Sequence, residues 1–86
     1  MFEIKFTDDA FEDLQVFTKA EQKQIVTALK SELTLQPARE SNDRKRLNFD
    51  GAAEWEIRLG EARVFYDVDV RTGTVKIEAV GKKFSI

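Results

Sequence analysis

The chain contains neither cysteine nor histidine in its 86 residues. The first absence rules out disulfides and thiolate-bound metal. The second removes the commonest general acid–base and the commonest metal ligand. No run of apolar residues approaches the length of a membrane span, and no basic segment leads into an apolar one at the N-terminus. The expected location is the cytoplasm, with no membrane, metal or cofactor involved. An excess of either charge is also lacking. Net charge is −2, with five Lys/Arg against eight Asp/Glu in residues 1–40 and nine against eight in residues 41–86. Proteins that grip nucleic acid mainly through phosphates carry a clear basic excess. Any such grip here must come from a local patch. A hydrophobic content of 42% supports one small globular domain over residues 1–86.

From Trp55 to Gly81 the residues alternate apolar and polar with period two, as half-buried strands do. Gly60-Glu61, glycine first, predicts a two-residue type II′ hairpin turn. Counting back from that turn pairs Leu59 with Ala62, Ile57 with Val64 and Trp55 with Tyr66, all on one face. A second turn through Val70-Arg71-Thr72-Gly73 pairs Asp69 with Thr74, and by the same count Tyr66 with Ile77 and Val64 with Ala79. The apolar face stays apolar across all three strands.

The other face pairs Arg58 with Arg63, Glu56 with Phe65 and Glu54 with Asp67. Like charges directly opposite each other repel. Either the neighbouring glutamates simply solvate the two arginines, or the face binds an anion. Phosphate is then the natural ligand, because it matches the guanidinium fork.

Phe2, Ile4 and Phe6 alternate with Glu3 and Lys5 and predict a first strand. Thr7, Asp8 and Asp9 are N-cap candidates for a helix whose inner face holds Ala10, Phe11, Leu14 and Phe17. Thr18 and Glu21 form a capping box for a second helix, with Ala20, Ile25, Ala28, Leu29 and Leu33 inward. Pro37 forbids its continuation. The polar stretch 38–54 reads as a loop carrying a basic cluster, Arg44, Lys45 and Arg46, with Leu47 and Phe49 tucked under the sheet. The predicted order is β-α-α-β-β-β. It gives an α+β, two-layer sandwich: a twisted, mainly antiparallel four-stranded sheet with an αα-hairpin over the Trp55/Ile57/Val64/Tyr66/Ile77 face.

The strings W-E-I-R-L-G-E-A-R-V-F-Y-D-V (residues 55–68) and V-K-I-E-A-V-G-K-K (residues 75–83), with this element order, resemble the RelE/ParE superfamily of bacterial toxin–antitoxin toxins. The resemblance covers essentially the whole chain. It implies a toxin that enters the ribosome, cuts mRNA without a metal and is neutralised by a cognate antitoxin. The chemistry is attack of the ribose 2′-oxygen on the adjacent phosphate. By the same resemblance Arg63 holds the phosphate, Arg58 stands where the family often has a lysine, and Lys83 follows the glycine where a late arginine or histidine sits.

Glu56 stands where ribosome-dependent members often carry a second lysine. It is either a carboxylate base or a salt-bridge partner of Arg58 or Arg63. The sequence ends Phe84-Ser85-Ile86, without the tyrosine or histidine that commonly completes the site. Arg44, Lys45, Arg46 and Lys82 are the expected RNA-binding residues. Strand parity, taking Val80 as the partner of Arg63, brings Lys82 to the site, whereas the resemblance brings Lys83. Tyr66 falls on the buried face and is expected in the core. The alternative function is a non-nucleolytic gyrase inhibitor of the ParE kind, or a degenerate homologue that only binds its antitoxin.

Overall fold

The computed structural model describes residues 1–47 and 53–82. Strand β1 (Glu3–Phe6) is followed by helix α1 (Asp8–Leu14) and helix α2 (Lys19–Leu33). Strands β2 (Arg44–Arg46), β3 (Trp55–Leu59), β4 (Ala62–Asp69) and β5 (Thr74–Lys82) complete the fold. The sheet has five strands in the order β1-β5-β4-β3-β2. All neighbours are antiparallel except β1, which runs parallel to β5. The expected four-stranded sheet therefore gains an edge strand. Arg44–Arg46, expected within a loop, pair with Ile57, Glu56 and Trp55. Three polar residues carry no strand signal of their own; the free edge of β3 supplies the partners.

Thr7 caps α1 by accepting the Ala10 N–H at 3.0 Å. At α2 both halves of the capping box form: Glu21 N–H donates to the Thr18 hydroxyl and Thr18 N–H to the Glu21 carboxylate. The Thr18 backbone N–H, and after it the Thr18 hydroxyl, hold the Glu21 carboxyl below its usual range. The helices bury Ala10, Leu14, Phe17, Ile25, Leu29 and Leu33 against Trp55, Ile57, Val64, Tyr66 and Ile77. Two residues expected inward are exposed. Ala20 lies in the first turn of α2 and Phe11 points off α1, 61% exposed. Leu47 is half-buried, and Phe49 lies outside the described residues.

The β3–β4 register is the predicted one in every pair from Trp55↔Tyr66 to Leu59↔Ala62. Gly60 has φ +61°, as the first position of a type II′ turn requires. On β5, Asp69↔Thr74 and Tyr66↔Ile77 also match, but Phe65 then pairs with Ala79 and Val64 with Val80, not Ala79. Glu78 is the extra residue of a bulge. Helix α1 clamps it from both sides. Thr7 donates its backbone N–H to the Ile77 carbonyl and its hydroxyl to the Glu78 carbonyl, and Asp13 accepts the Val80 N–H at 3.0 Å. The bulge reverses the facing of everything after it. No helix among the described residues is long and apolar enough to cross a membrane.

Candidate nucleic-acid interface

With both helices on one side, the other face of the sheet lies open, and its character changes along the strands. At the β3–β4 turn end, Arg58 and Arg63 stand directly opposite each other, both exposed. Between them and β2 sits Glu56, only 3% exposed. Arg63 Nε donates to Glu56 Oε2 at 2.8 Å, and Lys45 Nζ lies 3.9 Å from Glu56 Oε1. Two cations among the described residues thus share one buried carboxylate. Arg58 has no side-chain partner among the described residues; its backbone N–H holds the Asp43 carbonyl at 2.8 Å. Because Glu56 engages Arg63 through Nε, it fixes the plane of the guanidinium while leaving the two Nη groups unclaimed. That geometry is able to seat an anion.

The far end of the same face is acidic. Asp67 accepts the Glu54 N–H at 2.8 Å, and Glu54 pairs with Arg46 at 2.8 Å. Glu78, the bulge residue, also lies in this region and has its carboxyl pushed above the usual range, first by burial and then by its hydrogen bond with Asp67. Lys76, 3.7 Å from Glu78, opposes that shift.

The basic cluster 44–46 is not gathered on one face. Arg44 lies on the inner side, and its side chain is 11% exposed. Its guanidinium donates to the Glu32 carbonyl at 3.0 Å, the Glu32 carboxylate at 3.1 Å and the Gln36 carbonyl at 2.5 Å. It therefore satisfies the open end of α2. Arg46 is taken by Glu54. Only Lys45, on the opposite side of β2, joins Arg58 and Arg63. Lys82 is also elsewhere. The partner of Arg63 is Gly81, not Val80, so Lys82 turns to the helix side, where its Nζ lies 5.7 Å from the Phe17 ring centre. Lys83 lies outside the described residues. Tyr66 is a core residue: its ring stacks on Trp55 at 6.2 Å and its hydroxyl donates to the Pro37 carbonyl at 2.8 Å. Burial pushes that phenol up to about 12.

Sequence reasoning placed Glu54 opposite Asp67 but missed Glu78 joining them, and it missed the division of the basic cluster. Strand alternation within Arg44–Arg46 separates Lys45 from its neighbours once β2 is known to be a strand. The bulge at Glu78 has no such signal.

On the helix side, an open groove between α1 and α2 is lined by Phe11, Leu14 and Val26 and edged by Lys19, Lys23 and Lys30.

The chain matches no family model and no curated protein. Solved structures do match it. The RelBE toxin–antitoxin complex from Mycobacterium tuberculosis aligns with a TM-score of 0.82 at 24% identity, covering 95% of this chain and 98% of that one. The isolated RelE toxin of E. coli aligns at 0.76 and 20% identity, covering 100% and 88%. The YoeB–YefM complex from Staphylococcus aureus aligns at 0.69 and 27% identity, covering 100% and 99%. The fold of this chain is the fold of those toxins.

Proposed function

We propose that this RelE/ParE-type toxin cuts messenger RNA on the ribosome and is held inactive by a cognate antitoxin. The observation that carries the reading is the Arg58–Arg63 cross-strand pair. It is two exposed guanidinium groups face to face, only one of them neutralised, in a chain whose net charge is negative. Such a pair is repulsive until an anion lies between its members.

In the cleavage step the ribose 2′-hydroxyl gives its proton to water as its oxygen bonds to the adjacent phosphorus, and the bond to the following 5′-oxygen breaks, that oxygen taking a proton in turn. Negative charge grows on the non-bridging oxygens in the transition state. Arg63, aimed by Glu56, donates from its free Nη groups to those oxygens, and Arg58 and Lys45 add positive potential. Lys83 is the residue we assign to the leaving 5′-oxygen, on the strength of the family resemblance. The antitoxin contributes an acidic, apolar segment, which the lysine-edged groove of Phe11, Leu14 and Val26 suits in charge and character.

Primer extension on mRNA after induced expression tests the reading. Discrete cuts in the wild type, lost in Arg63→Ala, support it. Removing one such donor costs on the order of 3–4 kcal/mol, hundreds-fold in rate. Arg63→Lys should recover part of the loss, since an ammonium cannot fork. Growth arrest by Arg63→Ala at full strength would sink it.

A second reading, a ParE-type gyrase inhibitor or a toxin that only binds its antitoxin, draws on Glu56. Its carboxylate is buried and bonded to Arg63, which is poor placement for a base that must reach a 2′-hydroxyl. DNA damage without mRNA cuts after induction selects the gyrase arm.

A further inference from the structure

Phe65 stands out among the large apolar side chains of the sheet. It lies on β4 two residues after Arg63, on the open face, half-buried, and takes no part in the hydrophobic core or its packed margin. Its cross-strand neighbours are Glu56 on β3 and Ala79 on β5. Same-face residues on a strand are about 7 Å apart, so the ring lies one step from the guanidinium held by Glu56. The β5 side of that step is low. Opposite Phe65 and Arg63 it presents Ala79 and Gly81, with Glu78 next along the strand on the side of Asp67 and Lys76. The backbone at Gly81 does not demand glycine, since a Cβ there would make one ordinary contact, 3.9 Å from the Arg63 carbonyl oxygen.

We propose that Phe65 is a stacking platform for an unpaired base of the RNA whose phosphate Arg63 holds. The inference rests on the mRNA-cleavage reading and adds to it the residue that grips a base. An exposed-face aromatic beside a cation is the arrangement by which sheets take single-stranded RNA. The ring stacks a base of any identity while the cation takes its phosphate. The alternation Arg63–Phe65 supplies both on one strand, and the low floor at Ala79 and Gly81 leaves room for the nucleotide. Phe65 would otherwise leave an apolar ring on an open face without a partner.

The test is primer extension after induction of wild type, Arg63→Ala, Phe65→Tyr and Phe65→Leu, with thermal midpoints and antitoxin co-purification of each protein. Stacking is worth about 1–3 kcal/mol per base, so Phe65→Leu should cut at least about fivefold less than wild type. Phe65→Tyr should cut like wild type, and both should keep their thermal midpoints and bind antitoxin. If the leucine variant does not fold, Phe65→Met takes its place under the same criterion. Wild-type cutting by a folded Phe65→Leu, alongside an inactive Arg63→Ala, overturns the platform and leaves the cleavage reading standing. Loss of antitoxin binding in Phe65→Leu with cleavage intact also overturns it and makes the ring a protein contact. A wild type that cuts no message overturns both.

Discussion

Arg63 and Glu56 depend on each other unequally. The Glu56 carboxylate is buried, whereas the Arg63 side chain is 48% exposed and bonded to it at 2.8 Å. Without Glu56 the guanidinium can turn to water. Without Arg63 the carboxylate stays buried, with Lys45 as its only remaining counter-charge at 3.9 Å among the described residues. Arg63→Ala should therefore cost about 1–3 kcal/mol of stability as well as activity. The double variant Arg63→Ala/Glu56→Gln should recover most of the stability and none of the toxicity. Thermal denaturation of the three proteins checks this; a double variant as weak as the single one would put the cost elsewhere.

Two adjacent basic residues make opposite contributions. Arg44→Ala removes several hydrogen bonds to the end of α2 and should lower stability by about 1–3 kcal/mol while leaving cleavage per folded molecule unchanged. Lys45→Ala should leave the thermal midpoint within a few degrees and weaken cleavage through the lost potential beside Glu56. Measuring both properties on both variants separates the roles; equal loss of cleavage in the two would return Arg44 to the RNA-binding set.

That division shows where a sequence runs out. The Trp55–Gly81 hairpins were legible because two turn signals and one apolar face agree, and a slip of one residue would expose the whole face. The Arg58–Arg63 pair followed by counting from Gly60. The capping box at Thr18 and the core role of Tyr66 were readable for the same local reasons. Strand β2 was not, because Arg44–Arg46 join the sheet for want of any other cover on the β3 edge, a tertiary cause. The β5 bulge was not, because it is held by Thr7 and Asp13, more than 60 residues away in the chain. Lys82 was misplaced by that one extra residue.

The core should be unforgiving at the ring pair. Trp55 is buried and stacked on Tyr66, so Trp55→Ala should cost roughly 3–5 kcal/mol. Tyr66→Phe keeps the stack and strips the donor from the Pro37 carbonyl, which should cost about 1–2 kcal/mol with toxicity intact. Chemical denaturation gives both values. A Trp55→Ala protein with an unchanged midpoint would contradict the packing of β3 against the helices.

The acidic end of the open face should give the protein a readable pH dependence. Glu78 is held above the usual carboxylate range by burial and by its hydrogen bond with Asp67, with Lys76 as the opposing charge. A carboxyl with a higher pKa folded than unfolded binds its proton more tightly in the folded state. Its contribution to stability is complete below the unfolded value, about pH 4, and is lost as the pH rises through the folded one. Above the folded value the ionised Glu78 carboxylate therefore weighs against folding. Glu78→Gln keeps a donor for Asp67 and cannot ionise, so its thermal midpoint should exceed that of the wild type at pH 7. The advantage should shrink on acidification and vanish near pH 4. Midpoints of the two proteins across that range decide it. An advantage that stayed constant with pH would have a cause other than the Glu78 proton, and a variant less stable at pH 7 would mean that Lys76 outweighs Asp67.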